Sequence, residues 1–359
     1  MMARKVLRLA QQIHHSKLLG TALFALAIFH LVIQLIVVMP RNLTVTGRED
    51  NIQVYYQAIK NVHNAQPVYR IQPNYGPDHE VEGVYIYPPT FAAILSPFSA
   101  IPFTWFVRLW YCGMFVAFWV FAWSLARMSF GDQVDLRRAL IWGVILDLFP
   151  GGYAAFSVGQ IEPLLWALFG IGLLGFARSL LWAADAFVKP FYIWSLLAYI
   201  GDVWSKNGLK VLLSKLMPAV AFTAVLVLAG GLICGWDSYV VWVRDVLPTL
   251  SQGNFNAGNV SLSFAVLRIA RYCGWHYAGG PLPLVAHIWL TVVSIGAPLL
   301  VWRVLRRASE PLKYACMAAA AILFSPVCWT YYLPLLLPPV AILFHHRSSD
   351  LLMDAMTGK

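Results

Sequence analysis

The residues best suited to chemistry in this chain begin with the acidic pair Glu49-Asp50. It stands just ahead of Ile52, Tyr55, Tyr56, Ile59 and Val62, apolar positions that recur at helical spacing. A carboxylate opening a helix on a membrane surface can take a proton from a hydroxyl of a lipid-borne molecule. Positioned acid–base help of this kind is typically worth about 100- to 10,000-fold. Aspartate also favours the helix N-cap, so the same residue fits a purely structural role. Lys189 is the second pointed residue, because it interrupts the apolar stretch Leu180–Ile200. An ionised side chain in such a segment costs about 2.5–3.5 kcal/mol on insertion scales and calls for a partner charge. That partner is either an anionic group such as phosphate or Asp185, four residues earlier on the same helical face. Gln160 and Glu162 open another apolar segment with groups able to bond hydroxyls, against the plainer reading of polar helix-start residues. Arg268 closes a polar stretch after Asn259 and Ser261, where it suits either a bound phosphate or a lipid headgroup.

The elements that position these residues are set by composition. The chain has 359 residues, of which 60% are hydrophobic and 12% charged, with a mean hydropathy of +0.66. No water-soluble core could hide that much apolar surface, so the chain reads as an all-α integral membrane protein. About eight full spans are expected: Leu18–Met39, Phe103–Arg127, Ala139–Ala155, Ile161–Arg178, Val211–Cys234, Leu282–Val304, Tyr314–Val327 and Tyr331–Phe344. The first follows a basic tail, and its apolar run is too long for a cleaved signal segment. Leu180–Ile200 is expected as a broken re-entrant pair, because Pro190 removes a backbone donor and the freed groups must line a cavity.

The basic residues support this layout. With the N-terminus inside, most of the 26 Lys and Arg fall on the cytoplasmic side, including Arg137, Arg138, Arg178, Lys206 and Arg306. A full span at Leu180–Ile200 would move the later basic clusters outside. The net charge of +10 is therefore mainly topology, with no case for nucleic-acid binding. The outward face then receives two long segments of one polytopic domain, 1–359: residues 40–102, with interfacial helices over 51–62 and 90–101, and residues 235–281. The five cysteines are scattered without metal-ligand spacing, and neither a phosphate loop nor an HExxH motif is present.

The order of several short matches carries a resemblance. Asp50 with Tyr55-Tyr56 and Ala58 is followed by Tyr69, Tyr87-Pro88-Pro89, Pro97, Gly159-Gln160 and Lys189-Pro190. Tyr239 with Leu247-Pro248, Asn259 with Ser261, and Ser325-Pro326 with Trp329 complete it. In this the chain resembles glycosyltransferase family 87, within the GT-C superfamily of polyprenyl-phosphate-sugar-dependent enzymes, and in particular mannosyltransferases that build phosphatidylinositol mannosides. The resemblance implies a GT-C-type helical bundle that moves a hexose, by analogy mannose, from a polyprenyl-phosphate donor to a lipid or glycan acceptor. It implies an inverting transfer with Asp50 as general base, Lys189 and Arg268 on the donor phosphate, and substrate contacts at Glu49, Tyr87, Gln160, Asn259, Trp329 and Tyr331. No metal and no cofactor are assigned, since a departing phosphate can be stabilised by Lys or Arg. The implied setting is a bacterial plasma membrane with the site facing outward.

One departure is visible. Family members often carry histidine shortly after the tryptophan matching Trp329, where this chain reads Thr330-Tyr331-Tyr332. Tyrosine ionises near pH ~10 and cannot replace histidine as a base near neutrality without a large shift, which leaves Tyr331 a hydrogen-bonding role. Two competing readings use the same features: a lipid-linked-saccharide transporter, and an inactive relative acting as an assembly partner. A transporter should show internal repeats, and none is evident.

Overall fold

The computed structural model describes residues 17–33, 36, 50–69, 85–251, 255, 258–274 and 282–345. Among these residues the protein is helical throughout; an isolated antiparallel bridge between Asn259 and Trp329 is its β-type pairing. Helix α1 spans Lys17–Ile33 and α2 spans Asp50–His63. The latter is amphipathic as its spacing requires, with Ile52, Tyr55, Ala58 and Ile59 buried along one face. The short α3, Pro89–Leu95, begins with proline in its first turn and passes into a 3₁₀ turn, Ser96–Ala100. Neither segment is long enough to cross a bilayer, in keeping with surface helices.

Helix α4, Phe103–Phe130, runs through the centre of the bundle. Its 28 residues rise about 42 Å, more than a hydrocarbon core of about 30 Å. Phe106, Trp110, Tyr111, Met114, Phe118, Phe121 and Leu125 recur at helical spacing and are buried. Against this helix pack α5, Leu136–Leu148, and α7, Glu162–Leu173, with the short α6, Gly152–Ser157, between them in sequence. Asp135 caps α5 by accepting the Arg138 backbone N–H at 2.8 Å. Where the sequence reading placed one span over Ala139–Ala155, the helix stops at Leu148. Pro150 disfavours helix at the residue before it, and Gly151 turns the chain in a left-handed conformation.

Lys189-Pro190 breaks the chain as expected. Helix α8, Arg178–Val188, ends at Lys189, whose backbone is extended. After a 3₁₀ turn, Pro190–Tyr192, α9 runs over Ile193–Cys234 and packs back along α8. The returning arm continues past the expected end near Ile200, and the chain changes direction at Gly208, whose φ of +75° interrupts α9. The arm extends because Asp202 has partners: it pairs with Lys313 and accepts the Tyr314 hydroxyl at 2.7 Å. Helix α10, Trp236–Val241, continues through a wider turn, Trp242–Val246, to Leu247–Ser251. Then come α11, Leu262–Tyr272, α12, Leu284–Val304, and α13, Glu310–Leu323. A 3₁₀ turn, Thr330–Leu336, leads into α14 over 337–345.

Among the described residues, three helical stretches are long and apolar enough to cross a membrane: Phe103–Gln133, Pro190–Cys234 and Leu284–Val304. Glu162–Leu173 and Thr330–His345 are shorter apolar stretches. Val220, Val225, Leu228 and Leu232 on α9, with Val285, Val292 and Leu300 on α12, present apolar side chains outward. In water that surface would be costly; in a bilayer it is the expected exterior. One end of the bundle gathers charge instead. Glu310 accepts Lys206 at 2.6 Å and Arg178 at 3.4 Å, beside the Asp202–Lys313 pair.

Candidate active site

The candidate site forms where α2, the segment before α3, the start of α7, the α8–α9 turn and the 3₁₀ turn after Trp329 converge. The docking of α2 is set first. Asn51 donates its side-chain amide to the Val158 carbonyl at 2.9 Å, and Trp110 donates its indole N–H to the Gly159 carbonyl at 2.9 Å. Gly159 has a φ of +66°, and a Cβ there would run into the Ile52 side chain. Gly159→Ala is therefore expected to destabilise the protein by about 1–3 kcal/mol through overpacking and to lower activity by tilting α2. Thermal unfolding of the purified variant alongside its turnover checks this.

Beyond that turn lies a chain of polar side chains inside an aromatic shell. Tyr55 and Tyr87 both donate to the Gln160 side-chain oxygen at 3.1 Å, and their hydroxyls lie 3.0 Å apart. The Gln160 amide in turn donates to the Tyr331 hydroxyl at 3.3 Å. Burial raises the Tyr55 and Tyr87 phenols well above their ordinary range, so both stay neutral donors at physiological pH. The Tyr331 ring stacks on Trp329 with centroids 6.2 Å apart.

Lys189 stands beside this chain. It donates to the Tyr332 hydroxyl at 3.0 Å and lies 4.7 Å from the Tyr87 ring centre and 5.0 Å from that of Tyr332. Its charge partner is Glu162, with the ammonium 3.2 Å from Oε1. The two side chains form a close buried ion pair. This corrects the pairing with Asp185 suggested by i,i+4 spacing. Helical spacing fails because Lys189 has left the helix: at φ −132° and ψ 106° it no longer continues the Asp185 face. The Asp185 carboxylate is buried and makes no hydrogen bond among the described residues.

The sequence candidates thus fall into distinct places. Tyr87, Gln160, Lys189 and Tyr331 come together, with Trp329 adjoining through its stack. Asn259 is buried, and its side chain holds the neighbouring turn: its oxygen accepts the backbone N–H of Cys328 at 2.8 Å, and its amide donates to the Pro326 carbonyl at 3.1 Å. Arg268 lies on α11, its guanidinium 5.9 Å from the Phe264 ring centre. Asp50 is the first residue of α2; its side chain, and Glu49 altogether, lie outside the described residues. Tyr55 and Tyr332 belong to the site without having been assigned roles, and Glu162, read from the sequence with Gln160 as a hydroxyl contact, is placed against Lys189. The signal for that pairing was an intramembrane lysine in need of a counter-charge. Among the described residues no group of three or more His, Cys, Asp or Glu converges as a metal-ligand set.

A model of glycosyltransferase family 87 matches residues 85–326, well over half of the chain. The chain belongs to glycosyltransferase family 87. No curated protein and no solved structure matches it. This family 87 member is therefore a membrane glycosyltransferase, acting between a sugar donor and an acceptor. The matched stretch includes Tyr87, Gln160, Glu162, Lys189, Asn259 and Arg268; α2 precedes it, and Trp329 and Tyr331 follow it. In this transferase, α2 and the Trp329 turn are tied to the matched core through Asn51–Val158 and through Gln160–Tyr331.

Proposed function

We propose that this transferase takes a hexose, mannose by resemblance, from a polyprenyl-phosphate donor and passes it with inversion to a lipid or glycan acceptor at the outer membrane face. The observation that carries the proposal is Lys189, a buried cation at a helix break with an aromatic wall and an adjoining row of hydroxyl and amide groups. A lipid phosphate entering from the bilayer would find there one ammonium to neutralise it. The hydroxyls of Tyr55, Tyr87 and Tyr331, with Gln160, offer donors and acceptors to a sugar.

In the proposed reaction, Asp50 accepts the proton of the acceptor hydroxyl as that oxygen attacks the anomeric carbon. The bond from that carbon to the phosphate oxygen breaks, and the polyprenyl phosphate leaves with its negative charge facing Lys189. A fixed cation aimed at charge that develops in the transition state acts strongly where water is excluded. Arg268 is the second proposed phosphate contact, and Asn259 and Trp329 act by shaping the turn that carries Tyr331. Glu49 is a proposed acceptor contact.

The setting we propose is a bacterial plasma membrane with the site outside. Cysteines introduced at positions 50 and 206 are then expected to label from opposite sides; labelling of both from one side would overturn the orientation. The function is tested by incubating the purified protein with labelled polyprenyl-phosphate-mannose and a native lipid extract. A glycosylated lipid or glycan product is expected, and its identity defines the acceptor. Uptake of label into vesicles without a new glycosidic bond would overturn the proposal.

A further inference from the structure

Glu162 and Lys189 form a charge pair that shares no other ion-pair partner among the described residues, with side-chain exposures of 1% and 9%. One carboxylate oxygen faces the ammonium, and the other makes no hydrogen bond among the described residues. In the resting site, one cation thus balances one anion. A phosphodiester headgroup that takes Lys189 as its counter-cation, with or without Arg268 as a second contact, draws that ammonium away from Glu162. The buried carboxylate then loses its counter-charge, and a buried charge left without compensation neutralises. The phosphodiester is far too strong an acid to do so near neutrality, whereas a carboxylate can.

We propose that Glu162 takes up one proton when an anionic phosphodiester headgroup reaches Lys189, so that a Glu162–Lys189 pair becomes a phosphate–Lys189 pair beside a neutral carboxylic acid. The inference rests on the lipid-phosphate donor proposed above and extends it to a role for Glu162 as a positioning residue. The proton comes from water onto a carboxylate oxygen, and it returns to water when the phosphate product leaves. No other bond changes in this step.

Among the described side chains, Glu162 is the carboxylate paired with Lys189. Tyr55 of α2, Tyr87 before α3, Tyr192 of the α8–α9 turn, and Tyr331 and Tyr332 lie within its electrostatic reach. All are phenols, neutral at physiological pH and unable to take a second proton. Tyr111 of α4, beside Gly159, is another phenol, and the buried Cys328 is a thiol. Asp185 of α8 is buried on the preceding turn, but Lys189 does not supply its counter-charge. Arg178, Lys206, Glu310, Asp202 and Lys313 are paired with one another where α8 and α13 begin. Asp50 opens α2.

The test uses the full-length protein in phosphatidylcholine nanodiscs, titrated calorimetrically with farnesyl-phosphoryl-mannose in two buffers of different protonation heat. About one proton taken up per bound ligand is expected, with affinity falling about tenfold per pH unit on the alkaline side. Infrared difference spectra should gain a protonated carboxyl band on binding. Glu162→Gln should abolish the uptake, the band and the pH dependence, and should bind more tightly at pH ~8. Glu162→Asp should restore the uptake. Binding by the unmodified protein without proton uptake would overturn the role of Glu162 while leaving the donor reading intact. Uptake that persists in Glu162→Gln would do the same. Absence of binding would overturn both.

Discussion

Asp50→Asn is expected to insert and fold normally yet to lose sugar transfer by at least about 100-fold, the low end of what a positioned base contributes. The amide is nearly isosteric and cannot accept the proton of an attacking hydroxyl. Asparagine caps a helix about as well as aspartate, so a cap role alone would survive the change. The seat of α2 does not depend on this carboxylate: Asn51 bonds the Val158 carbonyl, and Ile52, Tyr55 and Ile59 are buried. Asp50→Ala should lose transfer similarly and should also weaken the helix start by roughly 1 kcal/mol. Turnover measured beside thermal stability separates these outcomes. Near-normal transfer by Asp50→Asn would assign Asp50 to capping and remove the proposed base.

Lys189→Met is expected to lower kcat/KM for the lipid-phosphate donor by about 100- to 1,000-fold, the range seen when a preorganised charge-stabilising group is removed. The single change also strands the buried Glu162. Breaking one side of a buried pair can cost about 3–5 kcal/mol, so instability could mimic loss of catalysis. The double variant Lys189→Met with Glu162→Gln removes both charges and keeps the volumes close. It should regain most of the unmodified protein's stability while transfer stays low. If the double variant were both stable and active, the Lys189–Glu162 pair would be a structural tie with no part in donor use.

The features legible in the sequence were those encoded locally. The spacing of Ile52, Tyr55 and Ile59 gave α2, and Lys189-Pro190 gave the break between α8 and α9, because periodicity and proline act within a few residues. The grouping of Tyr87, Gln160 and Lys189 followed from the order of short motifs. Pairings set by tertiary contact were less accessible. Asp185 looked like the partner of Lys189 only while a continuous helix was assumed, and the partner proved to be Glu162, on another helix. The break at Gly208 falls in the polar stretch Ser205–Lys210, between the expected re-entrant pair and the expected span Val211–Cys234, and Asn207-Gly208 is a turn signal. The early end of α5 was marked by Pro150, but the apolar run over Ala139–Ala155 masked it. The Asn259 side chain bonds positions 67 and 69 residues away, beyond the reach of any local pattern.

In the proposed reaction, sugar arrives on a lipid phosphate held at Lys189 and not on a nucleotide. The most direct measurement supplies the purified transferase, in lipid vesicles, with radiolabelled mannose either on polyprenyl phosphate or on a nucleoside diphosphate, with the same native lipid extract as acceptor. Label is expected in an acceptor product from the polyprenyl-phosphate donor alone, and the transfer should disappear in the stable double variant lacking Lys189 and Glu162 charges. Transfer from the nucleotide sugar, or transfer from the lipid donor undiminished in that variant, would contradict the account.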